Sequence, residues 1–599
     1  MSTRGTGTLR VANCSGFYGD RLDAAREMVE GGPIDVLTGD WLAELTMLIM
    51  AKDRAKDPAG GFARTFVTQM EQVMGACLDR GIKVVANAGG LNPAGCADAV
   101  RKLAARLGLD PVVAHITGDD LLPRLGDLRK AGHELANVDT GEPFGARQAV
   151  AANAYIGCWG IVEALGRGAD IVIAGRTTDA ALVMGPAAWH FGWNATDWDE
   201  LAGACVAGHI VECGCQATGG NYPFFREIPG LDHPGFPMAE ISHDGTCVIT
   251  KHDGTGGRVD IGTVTAQLLY EIGSPRYLNA DVVARFDTVR LEGLGPDRVR
   301  VLGVRGEPAP PELKVSINYL GGYRNSFTFM LTGLDIDAKA ELVERTFWAG
   351  FPQGKHTFEY AEATLARRDK SDPSRNEEGV AELTLSVKDS DPEKIDRRFT
   401  SVAIEMALAS YPGLFPRDAP RAAVPYGVHW PALLPAVLCP QAVVINGDSS
   451  TVVTAPQAPS PDPGPASPPQ FPPAPAGSTV RVPLGLLVGA RSGDKGGNAN
   501  VGVWARTPEA YSWLREFLTL DRLAALFPEA REHPVERFEL ANLLALNFVF
   551  HGLLGEGVAA STRFDPQAKG LGEYVRARTV DIPRTLLSPD QVAMTTGNP

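Results

Sequence analysis

The chain has 599 residues, 44% of them hydrophobic and 21% charged, too long for one hydrophobic core, since single cores stop growing near roughly 250 to 300 residues. No apolar run reaches the roughly 18 residues that a membrane-spanning helix needs, which excludes an embedded protein. A formal charge of -15, from 71 acidic against 56 basic residues, argues against nucleic acid and anionic membrane surfaces as partners.

The N-terminal stretch MSTRGTGTLRVANCSG enters a strand pattern with no apolar leader segment behind a basic one, and nine scattered cysteines suggest no disulfide framework, so a cytoplasmic protein is expected. Residues 1–275 alternate short Val/Ile/Ala runs with longer helical patterns. That is the signature of βαβ units, and it predicts an α/β domain built on a mainly parallel, doubly wound sheet. In such sheets ligands bind beyond the carboxyl ends of the strands. Four strand ends share one format: IDVLTGDWLAEL (34–45), KVVANAGGLNPAG (83–95), VVAHITGDDLL (112–122) and DIVIAGRTTDAAL (170–182).

At the first, Asp40 and Glu44 are four apart at a helix start, which would set both carboxylates on one helix face. They serve either acid/base chemistry, a bound divalent cation, or only the helix dipole. At the second, Asn87, Gly89 and Gly90 are candidate substrate-binding positions, and Asn92 before Pro93 reads as a cap with a first-turn proline. Asp119, at the third, is either functional or no more than a cap. At the fourth, Arg176 is placed to grip a carboxylate or phosphate with Asp179 beside it, the plainer reading being a pair that clips the loop. No G-x-G-x-x-G or G-x-x-x-x-G-K-[ST] motif occurs, so neither a dinucleotide nor a Walker-type site is expected.

The densest group of reactive side chains is GHIVECGCQATGGN, 208–221. Its H-x-x-E-C-x-C spacing matches no standard zinc pattern. We read His209 and Glu212 as an acid/base couple, with Gln216, Thr218 and Asn221 forming a polar wall around substrate; the alternative is a buried turn in which His209 bonds backbone. Cys213 has no basic neighbour in sequence to activate it as a nucleophile.

From about residue 276 to 454 the texture changes to alternating apolar and polar strands around two helical patterns, predicting an α+β domain. Residues 455–478 form a linker in which ten of the twenty residues from Pro456 to Pro475 are proline, expected to be an extended spacer. Residues 479–599 predict a small α+β module. Between its first strands lies ARSGDKGGNAN (490–500), read as a polar loop longer than a hairpin turn requires, with Ser492, Asp494 and Lys495 as ligand or docking contacts. The absence of a G-x-S-x-G motif counts against an esterase.

The segments IDVLTGDWLAELTM, IKVVANAGGLNP, DIVIAGRTTDAALVMGP, GHIVECGCQATGGNY, VSINYLGGYRNS and ARSGDKGGNANVGV resemble those of the acyclic terpene utilisation AtuA family. The likeness covers about residues 8–450 with the family's main region and about 480–590 with its companion domain, described as ferredoxin-like. It implies a cytoplasmic role in catabolic clusters, beside enzymes that carboxylate, hydrate and cleave branched acyl-CoA esters derived from citronellol or geraniol. No catalytic residues come with it.

Together these readings favour an acyl-CoA-processing enzyme of hydratase or lyase type. His209 or Glu212 would move a proton next to a carbonyl while Arg176 holds an anionic group, with Asp40 and Asp179 as further catalytic candidates. No cofactor is predicted. The alternatives are a hydrolase or transferase with a divalent cation on Asp40, Glu44 and Asp179, or a non-catalytic partner of a carboxylase assembly. A small-molecule acyl substrate and a homo-oligomer are expected.

Overall fold

The computed structural model describes residues 7–452 and 462–596. Its main element is an eleven-stranded sheet, whose order from one edge to the other is Arg290–Gly295, Arg298–Leu302, Cys247–Lys251, Pro237–Ile241, Leu9–Asn13, Val36–Gly39, Lys83–Ala86, Ile171–Ala174, Val113–Thr117, Gln441–Ile445 and Asp448–Val452. The five strands from Leu9–Asn13 to Val113–Thr117 run parallel. Every pairing outside them is antiparallel, so the sheet is mixed, with a parallel centre and antiparallel wings. Both faces are covered. Ala12, Leu37, Val84, Ile171 and Ile173 pack into one hydrophobic cluster with the helices Ala24–Gly31, Arg64–Arg80 and Pro93–Leu107. Alternate residues Val11, Val36, Val85 and Val172 are equally buried on the other side, as the period of two along a strand requires when both faces are dry. Helices Trp159–Gly166, Ala181–Phe191 and Trp198–Val211 pack one on the next and against the sheet.

The chain divides into two compact units. The first takes in residues up to Asn318, His429–Val558 and Asp565 onward, while the second is Tyr319–Val428 with Ala559–Phe564. This departs from the expected boundaries at 276 and 454, because four strands between those positions belong to the large sheet. The texture change at 276 opens on a small antiparallel sheet of Arg276–Leu278, Val283–Arg285 and Arg305–Glu307, and the edge strands of the large sheet that follow alternate in the same way as those of a separate α+β domain. In the second unit, Val380–Asp389 pairs on one side with the outer part of Glu312–Thr332 and on the other with Tyr360–Ala366, all antiparallel. Its core is aromatic, with Phe329, Phe347, Phe351 and Phe399 in mutual contact with Leu383 and Val387.

The C-terminal module belongs to the first unit. Its four-stranded antiparallel sheet has the order Val488–Lys495, Asn498–Ala505, Ala545–Phe550, Val535–Leu540, backed by the Thr507-capped helix Pro508–Phe517 and by Leu571–Ala577. Most of the linker's first residues lie outside the described ones. Its later part is not a free spacer: Arg285 donates to Gly464 O at 2.8 Å, Ala466 N donates to Asp287 at 2.7 Å, and Ser512 Oγ donates to Pro472 O at 2.7 Å. Among the described residues no helix is long and apolar enough to cross a membrane, and all nine cysteines are unpaired.

Candidate functional site

Because the five central strands are parallel, their carboxyl ends share one edge, and the loops that follow them meet there. Asp40 does not share a helix face with Glu44. The helix begins at Glu44 with Ala43 as its cap, so Asp40 lies in the preceding loop, where it accepts from Leu42 N at 2.8 Å and from the Asn87 side-chain amide. Asn87 Oδ1 in turn accepts from Trp41 N at 2.9 Å. Two neighbouring strand ends are thereby tied together. Burial, with Asp179 nearby, pushes the Asp40 carboxyl well above the usual range.

Arg176 is 2% exposed. Its guanidinium donates to Leu42 O and to Asp179 Oδ1, both at 2.7 Å, and stacks 4.1 Å from the centre of the Tyr155 ring. Its backbone N–H donates to the buried Asp119 at 2.8 Å, as does Asn153 Nδ2. Asp119 is therefore no cap; it braces the Gly175–Arg176 turn, where a Cβ on Gly175 would come within 2.5 Å of its carboxylate. A second ion pair lies alongside. Glu44 accepts from Lys314 Nζ at 2.9 Å and from Tyr155 OH at 3.0 Å. Burial works against its charge, yet Lys314, His429 and Arg176 together hold this carboxyl well below the usual range.

His209 and Glu212, in the last turn of Trp198–Val211 and just after it, bring His209 Nδ1 to 3.4 Å from Glu212 Oε1. The imidazole is 1% exposed and packs against the stacked rings of Tyr277 and Phe286, 5.2 and 5.3 Å away. Asn13, at the end of the first parallel strand, donates to Glu212 O at 3.3 Å, which ties this helix end to the common edge. Burial lowers the His209 pKa to about 4; burial, with Asp179 and Glu271 nearby, raises that of Glu212. Burial thus favours the neutral form of both groups. Both ring nitrogens of His209, Glu212 Oε2, Arg176 Nε and both ring nitrogens of His429 are buried with no hydrogen-bond partner.

The C-terminal module reaches the same place. ARSGDKGGNAN is not a long loop but a hairpin, whose strands Val488–Lys495 and Asn498–Ala505 are joined by Gly496–Gly497, with Gly496 at φ +62; two-residue glycine turns are the common solution for hairpins. Its tip brings Lys495 Nζ to 2.8 Å from Glu271 O and Asn498 Nδ2 to 2.7 Å from Asp139 Oδ1. Behind the tip, Asn500 donates to Leu269 O at 2.8 Å and accepts from Glu271 N at 2.9 Å. Asn547 donates to Gly273 O at 2.7 Å. Glu44, Lys314 and Asp179 keep 28 to 35% side-chain exposure amid these contacts, and Lys495 is exposed. Water thus reaches the space among them.

Seven of the sequence-derived candidates thus meet: Asp40, Asn87, Arg176, Asp179, His209, Glu212 and Lys495. Asp494 sits at the margin, 3.3 Å from Lys569, its carboxyl raised by burial and by Glu271. The others do structural work. Gly89 and Gly90 use their N–H groups on Ala174 O and Asn87 O, and the buried Thr218 hydroxyl donates to Gly235 O at 2.7 Å. Gln216 Oε1 and the Asn221 carbonyl receive Arg491 of the C-terminal module. Ser492 Oγ accepts from Gly572 N at 2.9 Å within that module. Asn92 caps Pro93–Leu107 by accepting from Gly95 N at 2.9 Å. Among the described residues no group of three or more His, Cys, Asp and Glu side chains is arranged to hold a metal ion; Asp40, Glu44 and Asp179 turn to Asn87, Lys314 and Arg176 instead.

Residues 9–445 match the acyclic terpene utilisation family protein AtuA, and residues 482–581 match the AtuA ferredoxin-like domain. The chain belongs to the acyclic terpene utilisation family. No curated protein and no solved structure matches it. In this AtuA-family chain the hollow therefore draws residues from both matched regions, Lys495 from the ferredoxin-like domain and the rest from the main one.

Several residues of the AtuA-family site carry no local signal. Tyr155, Lys314 and His429 follow no glycine turn; Lys314 and His429 stand inside long strands, Glu312–Thr332 and Val424–Pro435. Burial, with Lys314 and Arg176 nearby, also holds His429 neutral, its pKa lowered to about 4. A pH dependence follows from His209. Its folded-state value lies below the ordinary 6.5, so from about pH 6.5 down to about 4 the unfolded chain takes up a proton that the native state excludes. Stability is fully present above that window and falls within it, by up to about 3 kcal/mol. Asp119, raised by burial to about 7, acts in the opposite sense over much the same range. The measurement is therefore a comparison: urea midpoints of His209→Gln between pH 4.5 and 7 should fall less steeply toward acid than those of the wild type, and identical slopes would show that His209 takes up protons freely in the fold.

Proposed function

We propose that the protein is a catabolic enzyme acting on branched acyl-CoA esters or related carboxylic compounds by proton transfer next to a carbonyl, in the hydratase or lyase class. The observation that carries this is the set of buried, unpartnered polar atoms on His209, Glu212 and Arg176. Folded proteins satisfy nearly all such groups, so a concentration of them at strand ends marks where a substrate or water belongs.

The chemistry suits the groups present. A neutral imidazole accepts a proton and a neutral carboxyl donates one. With a β-hydroxyacyl substrate, His209 takes the proton from the carbon next to the carbonyl, the β-hydroxyl leaves as water with the proton of Glu212, and a double bond forms between the two carbons. The proton on His209 then returns to Glu212 across their 3.4 Å contact. The reverse sequence is hydration. Arg176 supplies positive charge for the developing oxyanion, and the tip at Lys495 limits access of bulk water. Full-length protein incubated in deuterium oxide with branched unsaturated and β-hydroxy acyl-CoA esters should place deuterium on the carbon next to the carbonyl, as read by mass spectrometry. Failure to exchange or hydrate any member of that series counts against the reading.

A further inference from the structure

Around the hollow, Lys314 pairs with Glu44 at 2.9 Å, Arg176 with Asp179 at 2.7 Å, and Lys569 with both Glu271 at 3.2 Å and Asp494 at 3.3 Å. Lys495 makes no ion pair among the described residues. Its ammonium donates to the backbone carbonyl of Glu271 and lies 5.6 Å from the Tyr277 ring centre, and Lys314 is the charge that acts on it most strongly, a repulsion that Glu271, Glu44 and Asp179 offset. Next to the hairpin, a Cβ on Gly496 would lie 3.6 Å from His429 Nδ1, and both ring nitrogens of His429 are buried and unpartnered.

We propose that Lys314, Lys495 and His429 form an anion subsite that takes a carboxylate of the substrate, separate from the carbonyl at which the proton moves. Lys495 has no carboxylate partner, both ring nitrogens of His429 beside the hairpin are free to bond a ligand, and Lys314 adds a second ammonium group. A planar carboxylate has two oxygens to share among these donors. The substrate class is then a branched acyl compound with a second, free carboxylate, and the ferredoxin-like domain acts as a selector for it through Lys495. This rests on reading the hollow as the substrate site.

Calorimetric titration of the full-length protein, which needs no turnover, tests it with three probes: 3-methylglutarate, its uncharged diamide and inorganic phosphate. The dicarboxylate should bind at least about tenfold more tightly than the diamide, and Lys495→Gln should remove that advantage while Lys495→Arg restores most of it. Unchanged thermal midpoints in both variants show that the hairpin stays folded. Equal binding of dicarboxylate and diamide, no effect of Lys495→Gln, or phosphate binding as tightly as the carboxylate would each overturn the subsite. Carboxylate binding that depends on Lys495 in a protein that neither exchanges nor hydrates acyl-CoA esters would leave the subsite standing and remove the reaction.

Discussion

Replacing Glu212 by Gln should lower turnover by about 10²- to 10⁴-fold, the usual contribution of a positioned acid or base, with little change in thermal stability. The two expectations have the same cause. Glu212 lies just past the helix Trp198–Val211, where its backbone N–H continues the helix by donating to Gly208 O at 2.9 Å, and Gln preserves that bond and the side-chain shape. Burial pushes the carboxyl pKa up, toward the neutral form that an amide reproduces. What it removes is a transferable proton. Glu212→Gln and His209→Gln should also be strongly non-additive, because two groups that hand one proton between them fail together. Steady-state rates within twofold of wild type for Glu212→Gln would take it out of the chemistry, and a large fall in melting temperature would assign it to the fold instead.

Replacing Asn500 by Ala should cost about 3 to 6 kcal/mol and abolish activity with it. Asn500 is fully buried. It donates to Leu269 O and to Asn547 Oδ1 and accepts from Glu271 N, so its loss strands three buried polar groups at about 1 to 3 kcal/mol each, partly relieved by local adjustment. The bond to Glu271 matters most for function, because Glu271 has φ +56, a left-handed conformation unfavourable for this residue. Its carbonyl is also the acceptor for Lys495. Urea denaturation gives the stability and an acyl-CoA assay the activity. A loss below about 1 kcal/mol would mean that the interface does not depend on this bond, and Asn547→Ala, which frees Ile272 O and Gly273 O, provides the independent check.

The strand ends were legible because a parallel strand followed by Gly and a small polar residue is a local pattern, and position 40, 87 or 176 can be read from ten residues of sequence. Their convergence follows from parallel topology alone. What could not be read is what depends on distant pairing. Lys314 and Tyr155 meet because Tyr155 N donates to Lys314 O although the two are 159 positions apart in the chain, and nothing near either residue announces it. The glycines at 89 and 90 fit a ligand-binding turn and a packing turn equally well; a Cβ on Gly90 would lie against the sulfur of Met50, which settles the matter in favour of packing. The hairpin was misread because its charged residues suggested a loop, whereas in an edge strand such residues simply point toward another surface, here the segment Tyr270–Glu271. The α+β boundary failed for a related reason, since edge strands of a mixed sheet carry the same alternation as an independent domain.

The contacts that close the hollow span much of the polypeptide, with Lys495 reaching back 224 residues to Glu271 and Asn498 reaching back 359 to Asp139. During synthesis, then, the first 480 residues can leave the ribosome with their sheet complete and their pocket still gaping. On the proposed reading, competence arrives late, when the last fifth of the message has been translated, and nascent or truncated chains should be catalytically silent by the order of manufacture.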